Sequence, residues 1–215
     1  RRPARRGEFR AGGHLTRADL ANYQVRRRPP LEFAYRGARI LTNPPPSAGG
    51  VLLALTLKTL EALDVASLEP GSSEHLQALL ETMTAVNDGR ARADGDLQQL
   101  LQIYREQVAA TAQISRGTTH ISIMERQVIS QLQDFQATPE KAVHFPRAHF
   151  EDNLLSVEAG FETGDLSASW DGLRIQPWDS LNLFFGGVHL ASLREGEFEA
   201  TGDPRRGGVG RLVIA

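Results

Sequence analysis

Not one cysteine occurs in the 215 residues, which excludes disulfides, thiolate metal sites and a cysteine nucleophile and leaves the redox compartment unmarked. Nor does charge of either sign predominate, with 24 basic and 26 acidic side chains. The formal net charge of −2 argues against a dedicated nucleic-acid binder. The basic runs Arg1-Arg2-Pro3-Ala4-Arg5-Arg6 and Arg26-Arg27-Arg28 have no interleaved aromatics on which bases could stack, so they read as solvated surface. No apolar run is long enough to cross a bilayer, and none follows the basic start to complete a signal peptide. No membrane partner is expected, and any export signal is expected to have been removed. With 40% apolar and 23% charged residues, what remains is ordinary globular material able to bury a core.

Periodicity divides the chain into helices and short strands. Thr16 stands where an N-cap would start one helical turn up to Leu20. Residues 31–42 alternate around Arg36-Gly37 and predict a small hairpin. Asn43-Pro44-Pro45-Pro46-Ser47-Ala48-Gly49-Gly50 predicts a shaped loop, because proline lacks the donor and glycine permits unusual angles. Residues 51–63 are apolar nearly all round and predict a core helix. Helices are also expected over 74–86, with a serine cap, over 97–112 and over 124–135, and a short one from Thr138-Pro139, stopping before Pro146. Residues 118–123 alternate and are rich in β-branched side chains, as a strand should be. Strands are expected again at 154–157, 174–177, 183–193 and 197–201, with a turn at Arg194-Glu195-Gly196.

A chemical candidate sits at the mouth of the 118–123 strand. Thr118 follows a glycine, and cutting the bond between them would place a free amine beside the threonine hydroxyl. An α-amino group titrates at about 7.7 to 8.0, so near neutrality it can serve as general base for its own hydroxyl. Spacing alone favours the plainer reading, a threonine capping a loop. Thr119 is the rival nucleophile if the cut falls one residue later. His120 faces away from its strand neighbours and reads as a structural hydrogen-bonding group. His144 and His149 have Pro146 between them and do not share a helix face, so no metal is expected, and no cofactor is called for. Gly186-Gly187 reads as a bulge or close strand crossing, and Asp203-Pro204-Arg205-Arg206 as a turn fixed by carboxylate and guanidinium bonds. The proline loop could line an active-site mouth or act as a rigid connector.

The wording of several segments is more specific than their spacing. Gly12-Gly13-His14-Leu15-Thr16 with Asp19-Leu20 and Tyr23, then Pro30-Leu31, Tyr35-Arg36-Gly37 and the Pro44 to Gly50 loop, resemble late large-subunit text of the gamma-glutamyltransferases, which are N-terminal-nucleophile (Ntn) hydrolases. Gly117-Thr118-Thr119-His120-Ile121-Ser122-Ile123 is similar to the segment spanning that family's processing site. Ala142-Val143, Pro146-Arg147, His149, Glu158, Gly160-Phe161 and Asp203-Pro204-Arg205-Arg206 resemble its small-subunit tail.

The resemblance implies an α+β fold, a four-layer alpha-beta-beta-alpha sandwich of the Ntn-hydrolase type, incomplete in this chain. It implies a large-subunit part at 1–117 and a small-subunit part at 118–215, two subunits of one precursor forming one domain. Thr118 is the implied catalytic residue, carrying a gamma-glutamyl ester formed from a glutathione-like donor and passed to water or to an amino-acid or peptide acceptor. A periplasmic or secreted location is implied too. The sequence departs from the family after Ile123, where an Asp/Gly/Asn turn, a Ser/Thr-rich strand, a double asparagine, a Ser-Ser-Met motif and an oxyanion-binding glycine pair are expected. None follows. The family's substrate-binding residues therefore have no counterpart to name, and the chain reads as part of a larger protein, with missing text at the Ile123 to Met124 join. A related acylase, or a catalytically inactive member acting as a scaffold, are the alternatives.

Overall fold

The computed structural model describes residues 15–94, 96–109 and 124–213. Thr16 begins α1 (Arg17–Ala21) with a capping box, its hydroxyl accepting from Asp19 N while the Asp19 carboxylate accepts from Thr16 N. Strands β1 (Leu31–Tyr35) and β2 (Ala38–Thr42) pair antiparallel as the alternation requires. Arg36 (φ 48°) and Gly37 (φ 80°) make the two-residue left-handed turn that matches strand twist.

The central element is α2 (Ala48–Glu61), buried from Gly50 through Leu57 and again at Thr59 and Leu60. It packs on the hairpin through Phe33, Tyr35, Leu53, Ala54 and Leu57. It also packs on α3 (Ser73–Arg92) and α4 (Leu97–Ala109) through Leu52, Leu55, Val86 and Leu100. The proline loop is shorter than its composition predicts, since Ala48, Gly49 and Gly50 already belong to the helix. The reason is steric: a Cβ on Gly50 would stand 2.0 Å from Asn43 O, so glycine is what lets the first turn close on the loop. Gly50→Ala should therefore destabilise despite alanine's better helix propensity. Overpacking of about 3 kcal/mol outweighs the ~1 kcal/mol gain, leaving a melting temperature lower by roughly 4–8 °C in a thermal scan.

Ser72 caps α3 by accepting from His75 N, and the helix runs six residues beyond the predicted end at Val86. Then come α5 (Met124–Gln133) and α6 (Pro139–His144), the latter capped by Thr138 with proline in its first turn. Ala148–Glu151 forms β3, which sequence periodicity did not mark because it spans only four residues directly after Pro146-Arg147. It pairs antiparallel with β4 (Leu154–Glu158), and β4 pairs parallel with β5 (Arg174–Trp178) across a crossover holding the short α7 (Leu166–Ser169).

The expected strand over 183–193 is confined to β6 (Leu190–Arg194), paired with β7 (Glu197–Thr201) about the Glu195-Gly196 turn. Upstream of it, Leu183–Phe185 is a 3-10 turn ending in Gly186 at φ 70°. A strand is prevented there by aromatic packing: Phe184 stacks on Trp178 at 5.1 Å, and Phe185 meets both rings edge-on. Gly187 is neither bulge nor strand crossing. A Cβ there would strike the Arg206 side chain at 2.4 Å.

The fold is thus α+β, with small sheets of two, three and two strands around a helical body. One core cluster joins Leu76, Leu79, Leu80 and Met83 of α3 to Ala148, Phe150, Leu155 and Val157, so residues on both sides of position 117 share a core. No described helix is long and apolar enough to cross a membrane.

Candidate active site

Thr118, and with it Thr119 and His120, lies outside the described residues, between the end of α4 at Ala109 and the start of α5 at Met124. Both flanking helices pack on α2. The predicted strand over 118–123 falls in the same interval.

The exit from that interval is anchored by polar side chains on the buried face of α5. One turn in, Gln127 gives Nε2–H to Ala148 O (2.8 Å) and takes Ala148 N–H on Oε1 (3.0 Å), pairing with the start of β3 as a strand would. Two turns on, the side chain of Asp134 is fully buried. Its Oδ2 accepts from Tyr35 Oη and from Ser130 Oγ (2.6 Å), and its Oδ1 from Arg36 Nε (2.8 Å). Arg36 also gives Nη2–H to Leu63 O, while Glu61 accepts its backbone N–H. Burial, and next the hydrogen bond and charge of Asp134, push the Tyr35 hydroxyl far above its usual range, so it stays a proton donor. The sequence marked Tyr35-Arg36-Gly37 as the hairpin turn and as resemblance text and gave no hint of Asp134, whose partners Tyr35 and Arg36 are about a hundred positions away.

A second buried group of charges ties down the C-terminal half. Glu158 accepts Arg205 Nε (2.8 Å) and Nη2, Arg147 N (2.9 Å) and Asn182 N (2.8 Å). Asp203 accepts Arg147 Nη2 (2.6 Å), Arg205 N (2.9 Å) and Val188 N (2.8 Å). Burial pushes the Asp203 carboxyl up, but bonds from Val188 N, Arg205 N and Arg147 hold it below the usual carboxylate range. Burial, with the Arg205 charge alongside, pulls the Arg147 guanidinium below its ordinary value. The turn predicted at Asp203 to Arg206 is architecture of this kind.

Buried hydroxyls on the described helices are spent on structure. Thr56, Thr59, Thr82 and Thr84 each donate to the carbonyl four residues back at 2.8–2.9 Å, which leaves them no nucleophilic role. His75 is likewise structural. Its Nδ1 accepts Gly71 N–H at 3.0 Å, and its ring packs against Phe135, Phe145 and Phe161. Burial takes its pKa down from 6.5 to about 4, against an upward pull from Asp134. Below pH 6.5 an unfolded chain accepts a proton that the folded chain refuses, so this contribution is complete above 6.5 and drains away toward pH 4, by up to about 3 kcal/mol. Urea unfolding at pH 7 and pH 4.5 should record that loss, and His75→Gln should flatten it.

Among the described residues, hollows on the surface include the following two. One, of about 510 Å3, is lined by Arg26, Arg28 and the proline loop at Asn43, Pro44, Pro46 and Ser47. The other, of about 800 Å3, lies between the start of α6 and the C-terminal strands, with Glu140, His144, Phe198 and Glu199 in its wall. Among the described residues no group of three or more His, Asp or Glu side chains could hold a metal.

The sequence profile described as Gamma-glutamyltranspeptidase matches residues 8–113, the stretch that contains the hairpin, the proline loop and α2 to α4. Over that stretch, just under half of its length, the chain is similar to the gamma-glutamyltranspeptidase family. Among curated relatives, the Acylase ACY 1 proenzyme of Pseudomonas sp. (strain SE83) is 40% identical over 85 residues, which is 40% of this chain and 15% of that protein. The Glutathione hydrolase proenzyme of Bacillus subtilis (strain 168) is 39% identical over 85 residues, 40% of this chain and 14% of that protein. The chain therefore aligns with only about one-seventh of the length of these relatives. The crystal structure of cephalosporin acylase from Bacillus halodurans superposes on 96% of this chain and 57% of its own, with a TM-score of 0.68 and 16% identity. That likeness establishes the Ntn-hydrolase fold.

Proposed function

We propose that the protein is a self-cleaving threonine amidohydrolase that transfers gamma-glutamyl groups from a glutathione-like donor to water or to an amino-acid or peptide amine. The single observation that carries this reading is the family match up to residue 113, continued five residues later by Thr118 directly after Gly117. In the cleavage, the Thr118 hydroxyl adds to the Gly117 carbonyl carbon. Nitrogen leaves that carbon as the free α-amine, and water hydrolyses the ester. In turnover the same hydroxyl attacks the donor's gamma-carbonyl, the α-amine takes the hydroxyl proton and returns it to the departing amine, and the ester passes to the acceptor. Residues 1–117 and 118–215 become two subunits of one domain. The periplasmic or secreted location implied by resemblance belongs to this proposal, and cell fractionation tests it.

A second reading has support of its own: the Pseudomonas relative named as an acylase matches as well as the glutathione hydrolase does. A panel of anilides decides between them. Release of aniline from gamma-glutamyl anilide, at least tenfold faster than from anilides of other acyl groups, is the expected result, and the reverse order makes the protein an acylase. The inactive-scaffold reading rests on the glycine pair missing after Ile123. Oxyanion donors of that kind are worth about 2.7 to 4 kcal/mol, and this reading predicts turnover of no anilide at all.

A further inference from the structure

We propose that Asp134 is the recognition key that keeps the segment beginning at Thr118 docked on the segment preceding it once the chain is cut, an inference that rests on the cleavage proposed above. Asp134 belongs to the later segment, whereas Tyr35 and Arg36, which donate to its two oxygens, belong to the earlier one. Its side chain and the whole of Tyr35 are inaccessible to water.

The receiving site is assembled from the earlier segment alone. Tyr35 is the last residue of β1, and Arg36 turns the hairpin with φ 48°, so adjacent residues direct both donors to one point. Arg36 is held in place by Leu63 O and by the Glu61 carboxylate, both also before the cut. What enters is a carboxylate just past the end of α5, already oriented by Ser130 on that helix. The surrounding apolar packing, Ile129 against the cluster that holds Phe33, Leu53 and Leu57 and Phe135 against the cluster of Leu60, Val65 and Ala78, adds area with little directional preference. Direction comes from the charge pair, and the fully buried Asp134 carboxylate left without its partly exposed Arg36 partner carries a large penalty.

Covalent connection conceals this role. In an uncut chain the two segments face each other at the high effective concentration of a tether, and only after cutting does separation become a true bimolecular equilibrium. The clamp is therefore read in a chain carrying Thr118→Ala and a protease recognition sequence inserted after Gly117, folded first and cut afterwards. Gel filtration at falling concentration gives the dissociation constant of the two pieces.

Asp134→Asn should raise that constant about a hundredfold. Leu100→Ala is the control, because Leu100 packs with Val51, Leu52, Leu55, Val86, Leu101 and other residues before the cut. It should lower the melting point of the uncut chain yet change the constant by no more than a few fold. Tyr35→Phe, which removes one donor and leaves the charge pair, should raise the constant about tenfold and serves if the asparagine chain does not fold. Combining it with Asp134→Asn should add nothing further. Pieces that stay together as in the parent, or that separate equally for Asp134→Asn and Leu100→Ala, overturn the proposal. Failure of self-cleavage is seen separately, as a parent chain without the inserted sequence that stays whole.

Discussion

Thr118→Ala is expected to leave a single uncut polypeptide that folds and melts like the uncut parent and turns over gamma-glutamyl donors at least a thousandfold more slowly. In the proposed chemistry one side chain supplies the nucleophile for its own liberation and for every later acyl transfer, and alanine has no atom to put in its place. The described residues carry a core of their own, in the cluster of α3 with β3 and β4, the cluster of α2 with α4, and the Asp134 and Glu158 networks, and the substitution takes only a hydroxyl and a methyl from the chain. Thr118→Ser should retain the hydroxyl and the amine, and with them cleavage and part of the rate. Persistent turnover in the alanine variant would transfer the chemistry elsewhere, to Thr119 first.

The largest loss of stability is expected at the other buried network. Glu158→Gln should cost about 3–5 kcal/mol, because the Arg205 guanidinium would then lie fully buried beside a neutral amide that cannot offset its charge. For a chain of this size that corresponds to a melting temperature lower by roughly 6–20 °C in a thermal scan. Replacing a buried ion pair by apolar residues of similar volume is often harmless, but here it should not rescue the fold. Arg205 also bonds Val143 O and Phe145 O, Asp203 takes Val188 N, and Glu158 takes Asn182 N and Arg147 N. An apolar quartet at 147, 158, 203 and 205 would orphan those backbone groups in the interior. A quartet variant as stable as the parent would show that the cluster contributes charge pairing and nothing else.

These two positions also mark what could be read in the sequence. Local physics was legible: the Arg36-Gly37 turn, the caps at Thr16 and Thr138, the apolar run of α2 and the hairpin about Glu195-Gly196 each depend on neighbours in sequence. The turn at Asp203 was legible for the same reason. Its partners Arg147 and Glu158 were visible only as family wording, because nothing in their spacing brings three parts of the chain to one point. Asp134 gave no signal, its helix carrying Ser130 and Gln127 on the buried face where periodicity looks for apolar residues. Phe184-Phe185-Gly186-Gly187 misled in the opposite sense, since rings that suit a strand stack on Trp178 instead. The nucleophile rests on wording alone, a glycine before a threonine.

The most direct test is the intact mass of the purified protein before and after mixing with a gamma-glutamyl donor. The account predicts two chains that meet between Gly117 and Thr118, with the chain beginning at Thr118 briefly heavier by one gamma-glutamyl group during turnover. One unbroken chain that releases product at full rate would contradict it.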